Sequence, residues 1–112
     1  MSASDREEKA LGFLGLAARA GRVIAGVPLI CTALQKGKKD KTPVLVLLAA
    51  DASENTEKRV TDRTAYYGVP LIRLSVDRTV LALRVGKRGG AVAAVGITEP
   101  SLARAIIGSY QE

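Results

Sequence analysis

Apolar residues recur at three- and four-residue steps near the start of the chain. Leu11, Leu14 and Ala18 share one face, and the preceding Ser4-Asp-Arg-Glu7 stretch has capping-box spacing. The pattern predicts an amphipathic helix over 4–20, closed by Gly21. Residues 22–25 form a short strand candidate. Gly26 and Pro28 then start a second helix, because proline in a first turn forfeits no intrahelical hydrogen bond, and Gly37 ends it. Residues 43–50 are apolar on both alternating faces. That is the pattern of a central strand covered by helices on both sides, and it implies a parallel sheet.

Asp51, Ser53 and Glu54 supply caps for a third helix that runs to about Tyr67, where Gly68 and Pro70 stop it. A third strand follows over 71–74, and Ser75 is placed to cap a fourth helix over 76–85. Residues 86–90 read as a flexible basic loop leading into a buried strand over 91–97, and Thr98, with Pro100 in the first turn, opens the last helix. Helices and strands alternate through short connections, with neither linker nor repeat. The expected fold is α/β: a three-layer α/β/α sandwich around a mostly parallel four-stranded sheet, one domain over 1–112.

Composition narrows the function. The 112 residues carry 17 Lys plus Arg against 11 Asp plus Glu, a net charge of +6, and 47% are hydrophobic, so there is enough apolar surface for a core and disorder is excluded. The start of the sequence has neither a basic nor an apolar leader region, and the single Cys31 can staple nothing, so a cytoplasmic protein is expected. The longest apolar run, 44–50, is about a third of the roughly 20 residues that a bilayer crossing needs, so no membrane span is expected. Histidine is absent, which removes Ser-His-Asp and Cys-His hydrolases and imidazole acid/base chemistry. Cys31 has Ile30, Thr32 and Ala33 as neighbours and reads as a packed helical cysteine, with no metal site and no cofactor.

The cations are clustered. Lys36, Lys38, Lys39 and Lys41 fall in one six-residue stretch relieved by Asp40, and Arg84, Lys87 and Arg88 surround the glycine loop. Two such loops suit phosphate: Lys and Arg supply charge, and glycines let main-chain N–H groups approach. The glycine loop is no nucleotide motif. P-loop spacing would need Gly at Leu81 and Ser or Thr at Arg88, and a dinucleotide fingerprint joins strand to helix, whereas this loop joins helix to strand. Asp51 and Glu54 lie at the carboxyl end of a buried strand, where α/β active sites form, but helix capping accounts for both. Phe13, Tyr66 and Tyr67 fall in helices and read as packing residues, so an open sheet that stacks bases has no support.

These segments resemble a family. Leu14-Gly-Leu-Ala-Ala-Arg-Ala-Gly21-Arg-Val, Gly26, Lys36-Gly37, Leu47-Leu-Ala-Ala-Asp-Ala-Ser-Glu-Asn-Thr56, Thr61-Asp62, Tyr66-Tyr67-Gly-Val-Pro70 and Val85-Gly86-Lys87 together resemble the bacterial YlxQ-type branch of the L7Ae/L30e ribosomal-protein family, collinearly over nearly the whole chain. The resemblance implies the α/β/α sandwich and a ribosome-associated RNA-binding protein with no catalytic activity. In relatives that bind kink-turn RNA, the contact surface joins the start of the second helix, the loop after the central strand and the loop before the last strand. That helix start typically reads Gly-Thr-Asn-Glu, with Lys three residues later. Here the aligned residues are Gly26, Val27, Pro28 and Leu29, with Thr32 at the lysine position. Ala50 replaces the acidic residue that commonly precedes Asp51, and Lys87, Arg88 and Gly89 stand where small apolar residues are usual. A buried G·A pair needs hydrogen-bonding partners that Val27, Pro28 and Leu29 do not have.

The expected function is therefore binding of structured, ribosomal RNA, mainly through phosphates, at one surface made by Gly26 to Thr32, Lys36 to Lys41, Asp51 and Lys87 to Gly89. The alternative is a protein-interaction module on the same fold, docking a ribosomal protein or translation factor through an exposed Val27-Pro28-Leu29 patch. An enzyme using Asp51 and Glu54 comes third.

Overall fold

A computed structural model describes residues 3–111; the Ser4 side chain of the predicted capping box, and residues 1 and 2 of the sequence start, lie outside the described residues. The elements follow the order α1 (Ala3–Arg19), β1 (Val23–Ala25), α2 (Val27–Lys36), β2 (Leu45–Leu48), α3 (Glu54–Tyr67), β3 (Leu71–Arg73), α4 (Arg78–Arg84), β4 (Ala94–Ile97) and α5 (Pro100–Ser109).

The β2 strand is buried along its whole length, as its two-sided apolar pattern requires. Leu45 and Leu47 join Leu11, Leu14, Leu81 and Ile106 in the core beneath α1, α4 and α5. Val46 and Leu48 turn the other way and meet Val27, Ile30, Leu34 and Val60 beneath α2 and α3. Gly96 of β4 lies under α2, where a Cβ would stand 3.0 Å from Pro43 Cγ and 3.6 Å from Ile30 Cγ1. The missing side chain lets proline and helix settle directly on the sheet.

Three layers form as expected, but the sheet is mixed rather than mostly parallel. Its strand order is β1-β4-β2-β3; β2 and β3 run parallel, and β4 is antiparallel to both β1 and β2. A strand covered on both faces has the same apolar pattern in either direction, so burial does not specify orientation. The register defines two ends of the sheet. Val23 and Leu45 both lie opposite Ile97, whereas Ala25 and Leu47 both lie opposite Val95. The near end is where β1, β2 and β3 finish and β4 begins; the far end is the reverse.

The fourth helix also differs from expectation. Its cap is Asp77, whose carboxylate accepts from the Val80 N–H at 2.9 Å, and not Ser75. Ser75 is held elsewhere: its N–H and its hydroxyl both donate to the Glu7 carboxylate at 2.9 Å. Glu7 is therefore a tertiary tie, and not the second half of a local capping box.

Candidate nucleic-acid interface

Four connections meet at the near end. The Gly26 N–H donates to the Ala94 carbonyl, the Ala49 N–H to Ala93, the Ala50 N–H to Val76 and the Val92 N–H to Arg78, all between 2.8 and 3.1 Å. The start of α2, the turn after β2, the start of α4 and the end of the glycine loop are thereby tied into one surface.

The start of α2 is open. Gly26 takes φ 104°, a conformation that side chains rarely tolerate, and its lack of a side chain leaves the first turn without a side-chain acceptor. The other N-caps described, Ser53, Asp77 and Glu99, each accept from a first-turn N–H. Pro28 contributes no donor, so the Val27 and Leu29 N–H groups and the helix dipole form a small site of positive potential.

The predicted apolar patch is only partly present. Pro28 and Leu29 are exposed, Leu29 by 61%, but Val27 is buried at 8%. Val27 belongs to the core stripe of Val27, Ile30, Cys31 and Leu34, whose three- and four-residue steps were visible in the sequence. Its side chain faces the core and is not part of an exposed patch. Cys31 is buried as expected.

Asp51 sits at this end with its carboxylate already engaged. It accepts from the Arg78 main-chain N–H at 2.8 Å and from Arg78 Nε at 3.3 Å. Partial loss of water pushes the Asp51 carboxyl up, but the Arg78 main-chain and guanidinium hydrogen bonds outweigh it and hold it below the ordinary carboxylate value. Asp51 thus fastens the β2–α3 turn to the first residue of α4. Arg78, which the sequence reading passed over, is the residue that neutralises it; the signal was the Asp77-Arg78 pair at the helix start. Glu54 lies in the first turn of α3, after the Ser53 cap.

Lys87, Arg88 and Gly89 are exposed in the connection that enters β4 at the near end. Among the described residues neither Lys87 nor Arg88 has an ion-pair partner, whereas Arg73, Arg78 and Arg84 are occupied by Glu57, Asp51 and Glu8. Only unoccupied cations can neutralise phosphate without first breaking a bond.

Lys36, Lys38, Lys39 and Lys41 do not join this surface. α2 starts at the near end and runs back for ten residues, so its last turn and the loop after it lie at the far end, about 15 Å away. Thr32 goes with them, lining a groove of about 240 Å³ with Ile24, Ala33, Lys36, Lys38 and Lys41. The sequence placed these cations on one surface; the crossover from β1 to β2 separates them. Tyr66 also departs from expectation. Phe13 packs against the core, but Tyr66 is 81% exposed, because Val60 and Thr64 define the buried stripe of α3 and position 66 falls outside it.

Comparison with known proteins fits this architecture. Residues 8–107 match the Ribosomal protein L7Ae/L30e/S12e/Gadd45 family. The chain is 39% identical to RNA-binding protein YlxQ of Bacillus subtilis (strain 168) over 95 residues, covering 85% of this chain and 88% of that one. It is 38% identical to RNA-binding protein YlxQ of Enterococcus faecium over 80 residues, covering 71% and 73%. Among solved structures, a protein with unknown function from Bacillus halodurans C superposes with a TM-score of 0.81 at 29% identity, covering 93% of this chain and 98% of that one. The Giardia lamblia 15.5kD RNA binding protein shares the fold, with a TM-score of 0.76 at 16% identity over 99% and 89% of the two chains. With the match spanning residues 8–107 and both sheet faces covered as described, the chain belongs to the ribosomal protein L7Ae/L30e/S12e/Gadd45 family.

Proposed function

We propose that this protein is a small, non-catalytic, ribosome-associated protein of the cytoplasm that binds structured RNA at the near end of the sheet, mainly through phosphates. The single observation that carries the reading is the uncapped start of α2 beside a loop whose Lys87 and Arg88 have no partner among the described residues. The family and the relatives called RNA-binding proteins support it. Gly26 and the first-turn N–H groups meet phosphate oxygens, Lys87 and Arg88 neutralise neighbouring ones, and Gly89, with φ 73°, lets the backbone come close. Asp51 positions the middle turn through Arg78 and does not touch the ligand. Ribosomal RNA is the ligand class; ribosomal proteins and translation factors are further partners on the same particle.

Exposed Leu29 beside Pro28 favours a second reading, in which this end docks a protein. Salt separates the two. Titration of a labelled RNA hairpin with an internal loop should give a log–log salt slope of about −2 to −4, and Lys87→Ala with Arg88→Ala should make it shallower by about 2. The double variant should keep its Tm, since exposed substitutions of this kind stay within about 0.5 kcal/mol. A flat salt response, or unchanged affinity in the double variant, would move the function to the protein-docking reading.

A further inference from the structure

The two margins of the sheet are not alike. β1 stands at one of them, with β4 as its neighbour, and β3 stands at the other. Along β1 the main chain alternates as in any antiparallel pair. The Arg22 carbonyl accepts from the Thr98 N–H and the Gly26 N–H donates to the Ala94 carbonyl, both at 3.0 Å, so Arg22, Ile24 and Gly26 turn toward β4. Val23 and Ala25 therefore turn their N–H and C=O groups outward, and these groups have no partner among the described residues. The β3 margin is dressed differently. Arg73 donates there to Glu57 at 3.0 Å and to Thr61 at 3.4 Å, and Lys58 and Asp62 add charge of both signs.

The surroundings of the β1 edge have one sign. Ile24 faces α2, where it forms an apolar floor with Ala33, and Lys36, Lys38 and Lys41 line the same groove. A second hollow shares Ile24 and Lys41 with this groove and extends it to Arg22, Val23 and Asp40 at the start of the strand. Among the described residues, Lys36, Lys38 and Lys41 have no ion-pair partner, and Asp40 is the single carboxylate lining either hollow. Arg22 is turned back on Thr98, its Nε donating to the hydroxyl at 3.2 Å and its Nη2 to the carbonyl at 3.3 Å. The lysine loop is held from within, since the Lys41 N–H and the Thr42 hydroxyl both donate to the Lys38 carbonyl, at 3.1 and 2.8 Å.

These features select an occupant. Phosphate oxygens would suit the lysines and the outward N–H groups, but they would face the Val23 and Ala25 carbonyls with no proton to offer. A peptide main chain brings a donor and an acceptor at each paired residue, so it matches the whole edge. A second copy of this chain would set +6 against +6, and lysines beside an edge are a usual guard against such self-pairing. The same lysines attract a strand that carries carboxylates. We propose that the β1 edge takes up an extended acidic segment of a partner protein as an added strand. Val23 and Ala25 make its main-chain bonds, Ile24 and Ala33 receive an apolar side chain, and Lys36, Lys38 and Lys41 hold its carboxylates. None of these residues belongs to the near-end site.

The probe is a labelled, acetylated peptide, Thr-Val-Thr-Val-Thr-Glu-Glu-Glu, titrated against the full chain. With the peptide at about ten times its Kd, amide exchange at Val23 and Ala25 should slow about tenfold, while Ile24, already bonded to β4, should change little. Two further peptides are methylated on the main-chain nitrogens of the valines or of the threonines. One should lose binding and the other keep it, because successive N–H groups of a strand point to opposite sides. Lys36→Ala with Lys38→Ala and Lys41→Ala should weaken the native peptide roughly tenfold. Exchanging its glutamates for glutamines should weaken binding to the native protein by a similar factor and add little in the triple variant. Failure of the peptide to bind, equal effects of the two methylation patterns, or unslowed exchange at Val23 and Ala25 would overturn the proposal. So would displacement by an equimolar 12-nucleotide oligouridine, which would make the groove an RNA site, or dimerisation that slows the same amides without peptide. Lys87→Ala with Arg88→Ala should leave peptide binding unchanged, so the hairpin titration and this experiment are decided on separate residues.

Discussion

The buried Glu7 carboxylate of α1 accepts two hydrogen bonds from Ser75, one from its main-chain N–H and one from its hydroxyl, across 68 positions of chain. This tie fixes the first helix to the connection between β3 and α4, and that connection also provides the Val76 carbonyl that holds Ala50. Hydrogen bonds to a charged acceptor contribute more than neutral ones, so Glu7→Ala should cost about 1.5 to 3 kcal/mol, and Ser75→Ala, which keeps the main-chain bond, about 0.5 to 1.5 kcal/mol. Urea midpoints of the two variants check the order; equal losses would show that the main-chain bond contributes nothing.

Tyr110, at the end of α5, gives the fold an alkaline limit. Burial, and then the nearby Glu7 charge, push its phenol up from 10.0 to about 12, and its hydroxyl has no hydrogen-bond partner among the described residues. The folded state therefore holds this proton where the unfolded chain has lost it. Stability from the neutral phenol is complete below pH 10 and falls as the pH rises from about 10 to about 12. Tyr110→Phe should unfold over a shallower alkaline slope and keep its stability at pH 7, since no bond is lost. Thermal melts of both proteins between pH 9 and 12 would show it, and parallel curves would assign the alkaline transition to other groups.

If the near end holds RNA as proposed, the start of α2 should set its selectivity. With Pro28 and Leu29 lacking polar side-chain atoms, the native protein should show little preference for a kink-turn over a mutated duplex of equal length. Pro28→Asn and Leu29→Glu together should raise that preference, as each polar contact matched to a base edge is worth about 1 to 3 kcal/mol in comparable DNA readout. Val27 is left in place because it is buried, and a hydroxyl there would cost about 1 to 3 kcal/mol unless it found a partner. Titrating both proteins with both RNAs at one salt concentration decides it; strong kink-turn selectivity in the native protein would show that the other loops suffice.

Local punctuation was legible in the sequence, and long-range partnership was not. Gly37 and Gly68 end their helices in the left-handed conformation, and Ser53 caps α3, because these are decisions of a few neighbouring residues. Asp77 displaced Ser75 as a cap because Glu7 holds Ser75, which no local window contains. The orientation of β4 was illegible because an apolar run reads the same in both directions. The cations were read correctly as two clusters, yet which end of the sheet each occupies depends on the crossover through α2. Exposure of Tyr66 and burial of Val27 were both present in helical periodicity, and a wheel drawn on each helix would have found them.

The position of β4 has a consequence for the order in which the protein can acquire its surfaces. β1 and β2 do not pair with each other; β4 stands between them, and the Gly26 N–H that fixes the start of α2 is bonded to Ala94. A chain emerging from the ribosome up to residue 90 has made every residue of the near-end site, but β1 still lacks its partner strand. The pairing of β1 with β4 links residues seventy or more positions apart, a contact of high loop-closure entropy that must form late. Synthesis is therefore nearly complete before the protein can fix the start of α2 against Ala94, so an emerging segment cannot present that end of the sheet in its final form.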